Sequence, residues 1–141
     1  MDALLHEMHT WMNGYMRSFR TDDPDVMLGI RLKEIHTGYV TTNARALAKY
    51  LGCNEHDTAI AEIIGLFHDV GRFRQYAVYR TFNDASSEDH ADLGLKVLAE
   101  DVGFLERLTP ADADAVRFAI KYHNKKEIAP TDDERKLFFA K

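Results

Sequence analysis

The sequence is poor in the features that mark disulfide-bonded, thiolate-metal and membrane proteins. Cys53 is the only cysteine among 141 residues, so an internal disulfide and a thiolate cluster for zinc are both excluded. No apolar run approaches the roughly 20 residues that a membrane-spanning helix requires. The N-terminus also lacks the basic and apolar segments of a secretory signal. These absences favour a cytoplasmic protein that does not bind membranes.

Excess positive charge and phosphate-binding loops are missing as well. The formal net charge is −5, which argues against a stable nucleic-acid complex held by phosphate neutralisation. A local basic pocket for a small phosphorylated substrate is still compatible with this charge. There is no glycine-rich phosphate loop, and the Gly-x-Ser-x-Gly turn of serine hydrolases is absent. The oligomeric state stays open.

Apolar residues instead recur at spacings of three and four almost from end to end, and strand-like alternation is rare. The length is ordinary for one domain. We therefore predict a single all-α domain of about six helices over residues 1–141. The predicted helices cover about residues 4–19, 25–51, 54–69, 86–101, 110–123 and 131 onwards.

Local signals mark several boundaries between these helices. The stretch from Thr21 to Pro24 breaks the first, and Gly52 is placed as the stop of the second. Ser86 with Asp89 predicts a capping box, and Thr109 followed by proline predicts another helix start.

The intervening stretch, residues 72–85, is predicted to be a loop rich in arginine and aromatic residues. Its aromatics are Phe73, Tyr76, Tyr79 and Phe82. They either pin the loop to the core or stack on a base, and the first interpretation is favoured. The helix that opens at Thr131 reaches Lys141 without a stop signal. We therefore expect that the natural sequence continues and that the domain is incomplete at its C-terminus.

Four of the seven histidines lie in helical settings beside apolar residues. His36 is inside the second predicted helix, His68 and Asp69 close the third, His90 opens the fourth, and His123 is near the end of the fifth. Each histidine alone is compatible with an ordinary core or surface role. Burying four imidazoles and a carboxylate without partners is unfavourable, however, and a shared divalent cation would satisfy all of them.

The run from Leu66 to Arg72, LFHDVGR, follows His36 by about thirty residues. It resembles the His-Asp motif of the HD superfamily of metal-dependent phosphohydrolases. The runs around His90 and His123 resemble the additional histidines of the two-metal branch of that superfamily. The resemblance spans about residues 30–125 and implies a helical HD domain around a buried metal site.

The resemblance also implies a ligand set and a reaction. Asp69 would bridge two ions, with His36 and His68 on one ion and His90 and His123 on the other. One or two divalent ions are expected, and these nitrogen and oxygen ligands do not choose among Mn, Fe, Zn, Co and Ni. The implied reaction is in-line attack of metal-activated water on the phosphorus of a small phosphorylated metabolite or nucleotide.

Charge that develops on the phosphoryl oxygens requires a nearby cation. Arg72 follows the His-Asp doublet and is the first candidate, while Lys33 lies one turn before His36 and is the second. The expected catalytic residues are therefore Asp69 and Arg72, and the expected substrate-binding residues are Arg72 and Lys33.

Two other functions remain open at this point. Related two-iron HD proteins activate oxygen, which requires redox-active iron, and a non-catalytic domain would use the fold to bind metal or ligand for regulation. The family pattern ends with a further aspartate on a later helix. Asp132 and Asp133 come nearest in this sequence, but both occupy a capping position, so neither is assigned as a ligand. This departure favours the regulatory alternative, and the set of five ligands argues against it.

Overall fold

The first five helices predicted from apolar periodicity are present in a computed structural model that describes residues 1–123 and 139. This part of the chain contains α-helices and short 3₁₀ and π turns, and no β-strand. The prediction of an all-α fold is confirmed. None of the described helices has both the length and the apolar character needed to cross a bilayer. The helices are α1 (Asp2–Arg17), α2 (Pro24–Tyr50), α3 (Glu55–Phe67), α4 (Val70–Tyr79), α5 (His90–Val97) and α6 (Pro110–Tyr122).

Helix α3 is the central helix, because α1, α2 and α6 all pack against it. Most of its residues are buried, including Ile60 and Ile63 at 0% exposure. From α1, Met8 and Met12 pack into the same core and are equally buried. Full burial of such a side chain contributes about 1.5–3 kcal/mol. The C-terminal end of α3 is therefore held in the middle of the domain.

Several predicted boundaries are confirmed. Asp23 Oδ1 accepts hydrogen bonds from the backbone nitrogens of Asp25 and Val26 at 3.0 and 3.4 Å, at the start of α2. Gly52 follows α2 with a φ of +81°, a left-handed conformation that glycine adopts without strain. Thr109 Oγ1 accepts from the nitrogen of residue 112 at 3.2 Å and caps α6.

The predicted loop that begins at Arg72 is wrong, because α4 continues to Tyr79. Val70 and Phe73 lie one turn apart and are fully buried, so they anchor this short helix in the core. Tyr76 stacks on Phe82 with ring centroids 4.5 Å apart. Such stacking is expected if the aromatic residues of this segment attach it to the core.

The predicted capping role of Ser86 is also wrong. Ser86 lies in a 3₁₀ turn, Asp84–Ser86, and α5 begins only at His90. Asp89 is the cap, and its Oδ1 accepts from the nitrogens of Ala91 and residue 92 at 2.9 and 3.2 Å. At its other end, α5 gives way to a π turn, Leu98–Val102, before the predicted end near residue 101. The helix predicted from residue 131, with the aspartates at 132 and 133, lies outside the described residues.

Two glycines allow the close helix crossings that build the centre of the domain. A Cβ on Gly71 of α4 would collide with the carbonyl oxygen of His90 and lie 2.5 Å from the nitrogen of Gly94, both on α5. A Cβ on Gly65 of α3 would lie 3.0 Å from the Cα of Thr41 on α2. These crossings bring α2 and α5 to either side of the junction between α3 and α4.

Candidate metal centre

The His-Asp doublet forms the junction between α3 and α4, and the carboxylate of Asp69 points into the domain. Asp69 is only 4% exposed, and its side chain makes no capping hydrogen bond to α4. The Nε2 atoms of His36 and His68 each lie 3.3 Å from Asp69 Oδ2. The Nε2 atoms of His90 and His123 lie 3.2 and 3.5 Å from Oδ1. The structure thus brings together all five residues predicted as ligands.

The imidazoles also meet each other in pairs. His36 Nε2 and His68 Nε2 are 3.2 Å apart, and His90 Nε2 and His123 Nε2 are 3.0 Å apart. Each pair together with one oxygen of Asp69 forms a group whose ligand atoms all lie within 4.8 Å of one another. The site therefore consists of two triads that share a single carboxylate.

The hydrogen bonds of the ring Nδ1 atoms test whether these residues fit a metal. His68 Nδ1 lies 2.7 Å from the carbonyl oxygen of Gly65, and His123 Nδ1 lies 2.6 Å from that of Ile120. A carbonyl oxygen only accepts, so both Nδ1 atoms carry the proton. In the neutral rings, each Nε2 then directs a lone pair at the Asp69 carboxylate. Lone pairs facing an anion are unfavourable without a cation, and so this donor set fits a divalent metal ion.

A family model for the HD domain matches residues 34–140. The chain belongs to the HD domain family. HD domains bind divalent metals, and most members of the family are metal-dependent hydrolases. The matched segment contains all five clustered residues. Comparison with curated proteins and with solved structures gave no significant match.

Two cations border the carboxylate of this HD domain. Lys33 Nζ lies 3.7 Å from Asp69 Oδ2, and Arg72 Nε lies 3.8 Å from Asp69 Oδ1. Arg72 Nη1 donates to the carbonyl oxygen of Phe82 at 2.7 Å and to Gln75 Oε1 at 3.0 Å, which fixes the guanidinium. Arg72 Nε is buried and has no hydrogen-bond partner among the described residues. Both predicted substrate-binding residues are therefore at the HD doublet.

The protonation states are those that metal binding requires. Burial alone raises the pKa of Asp69, but the adjacent side chains of His123, His68 and His90 outweigh it and hold that pKa far below its ordinary value. Burial lowers the pKa of His36, and the opposing attraction of Asp69 only partly offsets this. Near neutral pH the carboxylate is ionised and the His36 imidazole is neutral, which leaves their lone pairs available to a metal.

The sequence interpretation missed Asp84. Its Oδ2 lies 3.0 Å from His90 Nδ1, on the side of the ring that faces away from Asp69. Burial raises the pKa of Asp84, and hydrogen bonds from His90 and Gln75 more than offset this, so the net pKa is lowered. A single aspartate in an irregular segment carries no periodic signal. Its only sequence cue is its position six residues before His90.

One side of the HD site opens into a groove of about 630 Å³. His36, His68 and His123 lie at one end of the groove, and aliphatic residues of α2 and α3 line most of the remainder together with Phe139. The site is therefore accessible next to α2.

Proposed function

We propose that this HD domain is a metal-dependent phosphohydrolase that acts on a small phosphorylated metabolite or nucleotide. One observation carries the proposal: a single buried carboxylate has two imidazoles and one cationic side chain on each of its oxygens. His36, His68 and Lys33 lie on the Oδ2 side, and the corresponding set lies on the Oδ1 side. Metal ligands and phosphate-binding cations are thus adjacent.

In this proposal His36 and His68 would hold one divalent ion and His90 and His123 the other, and Asp69 would be a ligand common to both. Bound ions would supply a nucleophile from water near neutral pH and would neutralise negative charge on phosphate oxygens. The chain determines where these ions sit, because Asp69 is ionised and three of the imidazoles have their Nδ1 atoms held by hydrogen bonds.

Arg72 and Lys33 bind the phosphoryl oxygens in this proposal. Their side chains are only 15% and 18% exposed, so each acts with little competition from water and stabilises charge that develops on the phosphoryl group. The ring of Phe82 lies 5.1 Å from Lys33 Nζ and 5.9 Å from Arg72 Cζ. This shared cation–π contact orients both residues.

These two cations favour a phosphate substrate over the oxygen chemistry of two-iron HD proteins. They also favour catalysis over a purely regulatory role, because a structural metal needs no additional cations beside its ligands.

The test is metal loading followed by a substrate screen. The full chain is loaded separately with Mn, Fe, Zn, Co and Ni, its metal content is measured by mass spectrometry, and phosphate release is followed with phosphomonoesters, nucleotides and phosphodiesters. We expect turnover with at least one metal and no turnover in a chelator-treated sample. A chain that retains metal but releases phosphate from none of these substrates contradicts the proposal.

A further inference from the structure

The ring of His90 is held differently from the rings of His68 and His123. His90 is 0% exposed, and its Nδ1 faces a carboxylate where His68 and His123 face backbone carbonyls of their own helices. The two oxygens of Asp84 lie 3.0 and 3.1 Å from this nitrogen. Because an ionised carboxylate only accepts hydrogen bonds, the proton of the neutral ring stays on Nδ1 and the Nε2 lone pair faces Asp69.

Asp84 is itself held in place from three other directions. Its Oδ1 accepts hydrogen bonds from Gln75 Nε2 at 2.9 Å, from Arg72 Nη1 at 3.2 Å and from the backbone nitrogen of His90 at 3.2 Å. Gln75 is fully buried. The turn that carries Asp84 is thereby attached to α4 and to the first residue of α5.

We propose that Asp84 is a positioning residue that sets the tautomer of His90 for metal binding and fixes Arg72 for phosphate binding at the same time. This inference rests on the proposed metal centre. A carboxylate behind a ligating imidazole orients the ring and makes it a stronger donor to the metal. Asp84 joins this role to the phosphate-binding role, because Arg72 and His90 bond to the same oxygen.

The geometry gives the alternative of direct ligation by Asp84 less support. Atoms of Asp84, Asp89 and His90 do lie within 4.8 Å of one another. However, Asp89 is committed to capping α5 through its Oδ1, and both Asp84 oxygens already contact the ring of His90. In this alternative an ion would be lost entirely on substitution of Asp84, whereas a positioning role predicts weaker binding of the same ions.

The experiment compares Asp84→Asn and Asp84→Ala with Asp89→Asn as the matched control. Asparagine preserves the helix cap at position 89, and Asp89 lies on the same segment with its Oδ1 bonded to backbone nitrogens of α5. Metal affinity is measured by competition with a chelator. We expect a loss of about 10- to 100-fold for Asp84→Ala, as is typical for such partners. Asp84→Asn should show a smaller loss because its amide oxygen still accepts from Nδ1, and the control should be unchanged.

A second readout uses the metal-free protein. Nitrogen-15 NMR of the imidazoles should show the His90 proton on Nδ1 in the wild type and partly on Nε2 in Asp84→Ala. Circular dichroism identifies any variant that fails to fold, and Asp84→Asn then provides the test.

The outcomes separate this inference from the proposed function. A wild type that binds no metal contradicts the proposed function, and the tautomer measurement still tests Asp84. Wild-type metal affinity and an unchanged tautomer in a folded Asp84 variant overturn the positioning role. Loss of one whole ion with unchanged affinity for the other also overturns it, in favour of direct ligation.

Discussion

The two sides of Asp69 are built differently although each carries a pair of imidazoles. On the Oδ1 side His90 is completely buried, and its ring is held by a carboxylate that other donors fix in place. On the Oδ2 side the His36 side chain is 46% exposed, and no hydrogen bond to its Nδ1 occurs among the described residues. The difference indicates a rigid half at α5 and α6 and an accessible half at α2.

Substitution of the shared carboxylate should have the largest effect on metal binding and activity, because both halves of the site lose their common proposed ligand. Asp69→Ala removes the anion that contacts all four imidazoles, so the cluster loses the negative charge that attracts a cation. We expect metal content at background level, activity lower by about 10³-fold or more, and helical circular dichroism close to that of the wild type.

Glu62→Gln is the control for this variant. Glu62 is also a buried carboxylate, on the preceding helix α3, and contacts His9 and Arg45 at 2.7 and 2.8 Å. Its substitution should leave metal content unchanged. Full metal content in Asp69→Ala would contradict the bridging role.

Gly71→Ala should break the rigid half selectively. The new methyl group meets backbone atoms of His90 and Gly94 that have no room to move, and overpacking of this kind costs about 1–3 kcal/mol. Urea unfolding should show that loss, together with weaker metal binding on the Oδ1 side. Gly14→Ala provides the comparison, since nothing lies within 4 Å of its added Cβ. That variant should gain roughly 0.5–1 kcal/mol within α1. Equal stability of the two variants would show that the α4–α5 crossing is less tight than described.

Alanine at His36 and at His90 should sharpen the contrast between the halves. Each variant is expected to lose the ion on its own oxygen of Asp69 and to keep the other, as metal titration would show. His90→Ala empties a fully buried position and removes the ring that contacts Asp84, so it should lose about 0.5–3 kcal/mol of unfolding free energy. His36→Ala is expected to stay within about 0.5 kcal/mol of the wild type. Similar losses in both variants would remove the distinction between a rigid and an accessible half.

The smallest effect is expected at Lys33, on the accessible side. Lys33→Met removes a cation that is proposed to bind the phosphate group and is not itself a proposed metal ligand. We expect KM for a phosphate ester to rise by up to about tenfold with kcat little changed, the pattern of lost uniform binding. Lys49→Met, at an exposed position of the same α2, is the control. An unchanged KM for Lys33→Met would contradict the proposal that Lys33 binds the phosphate group.

The irregular segments show where prediction from the sequence stopped. Apolar periodicity predicts a loop after Arg72 because α4 is short and has Val70 and Phe73 as its buried apolar residues. Ser86 and Asp89 are equally plausible caps by residue type, and the choice of Asp89 depends on where α5 meets α4. Asp84 carries no local signal, because its importance lies in contacts with residues of two other elements.

The sequence by itself determined the helical fold, through apolar spacing, and the residue types of the site, through the His-Asp run and the helical histidines. These are local properties, since a helix places residues three and four positions apart on one face. Only the tertiary structure decided which imidazole faces which oxygen of Asp69, and that Asp84 stands behind His90. Those relations depend on how closely α2 crosses α3 at Gly65 and α4 crosses α5 at Gly71. Such crossings are set by packing between residues distant in the chain, which no local pattern encodes.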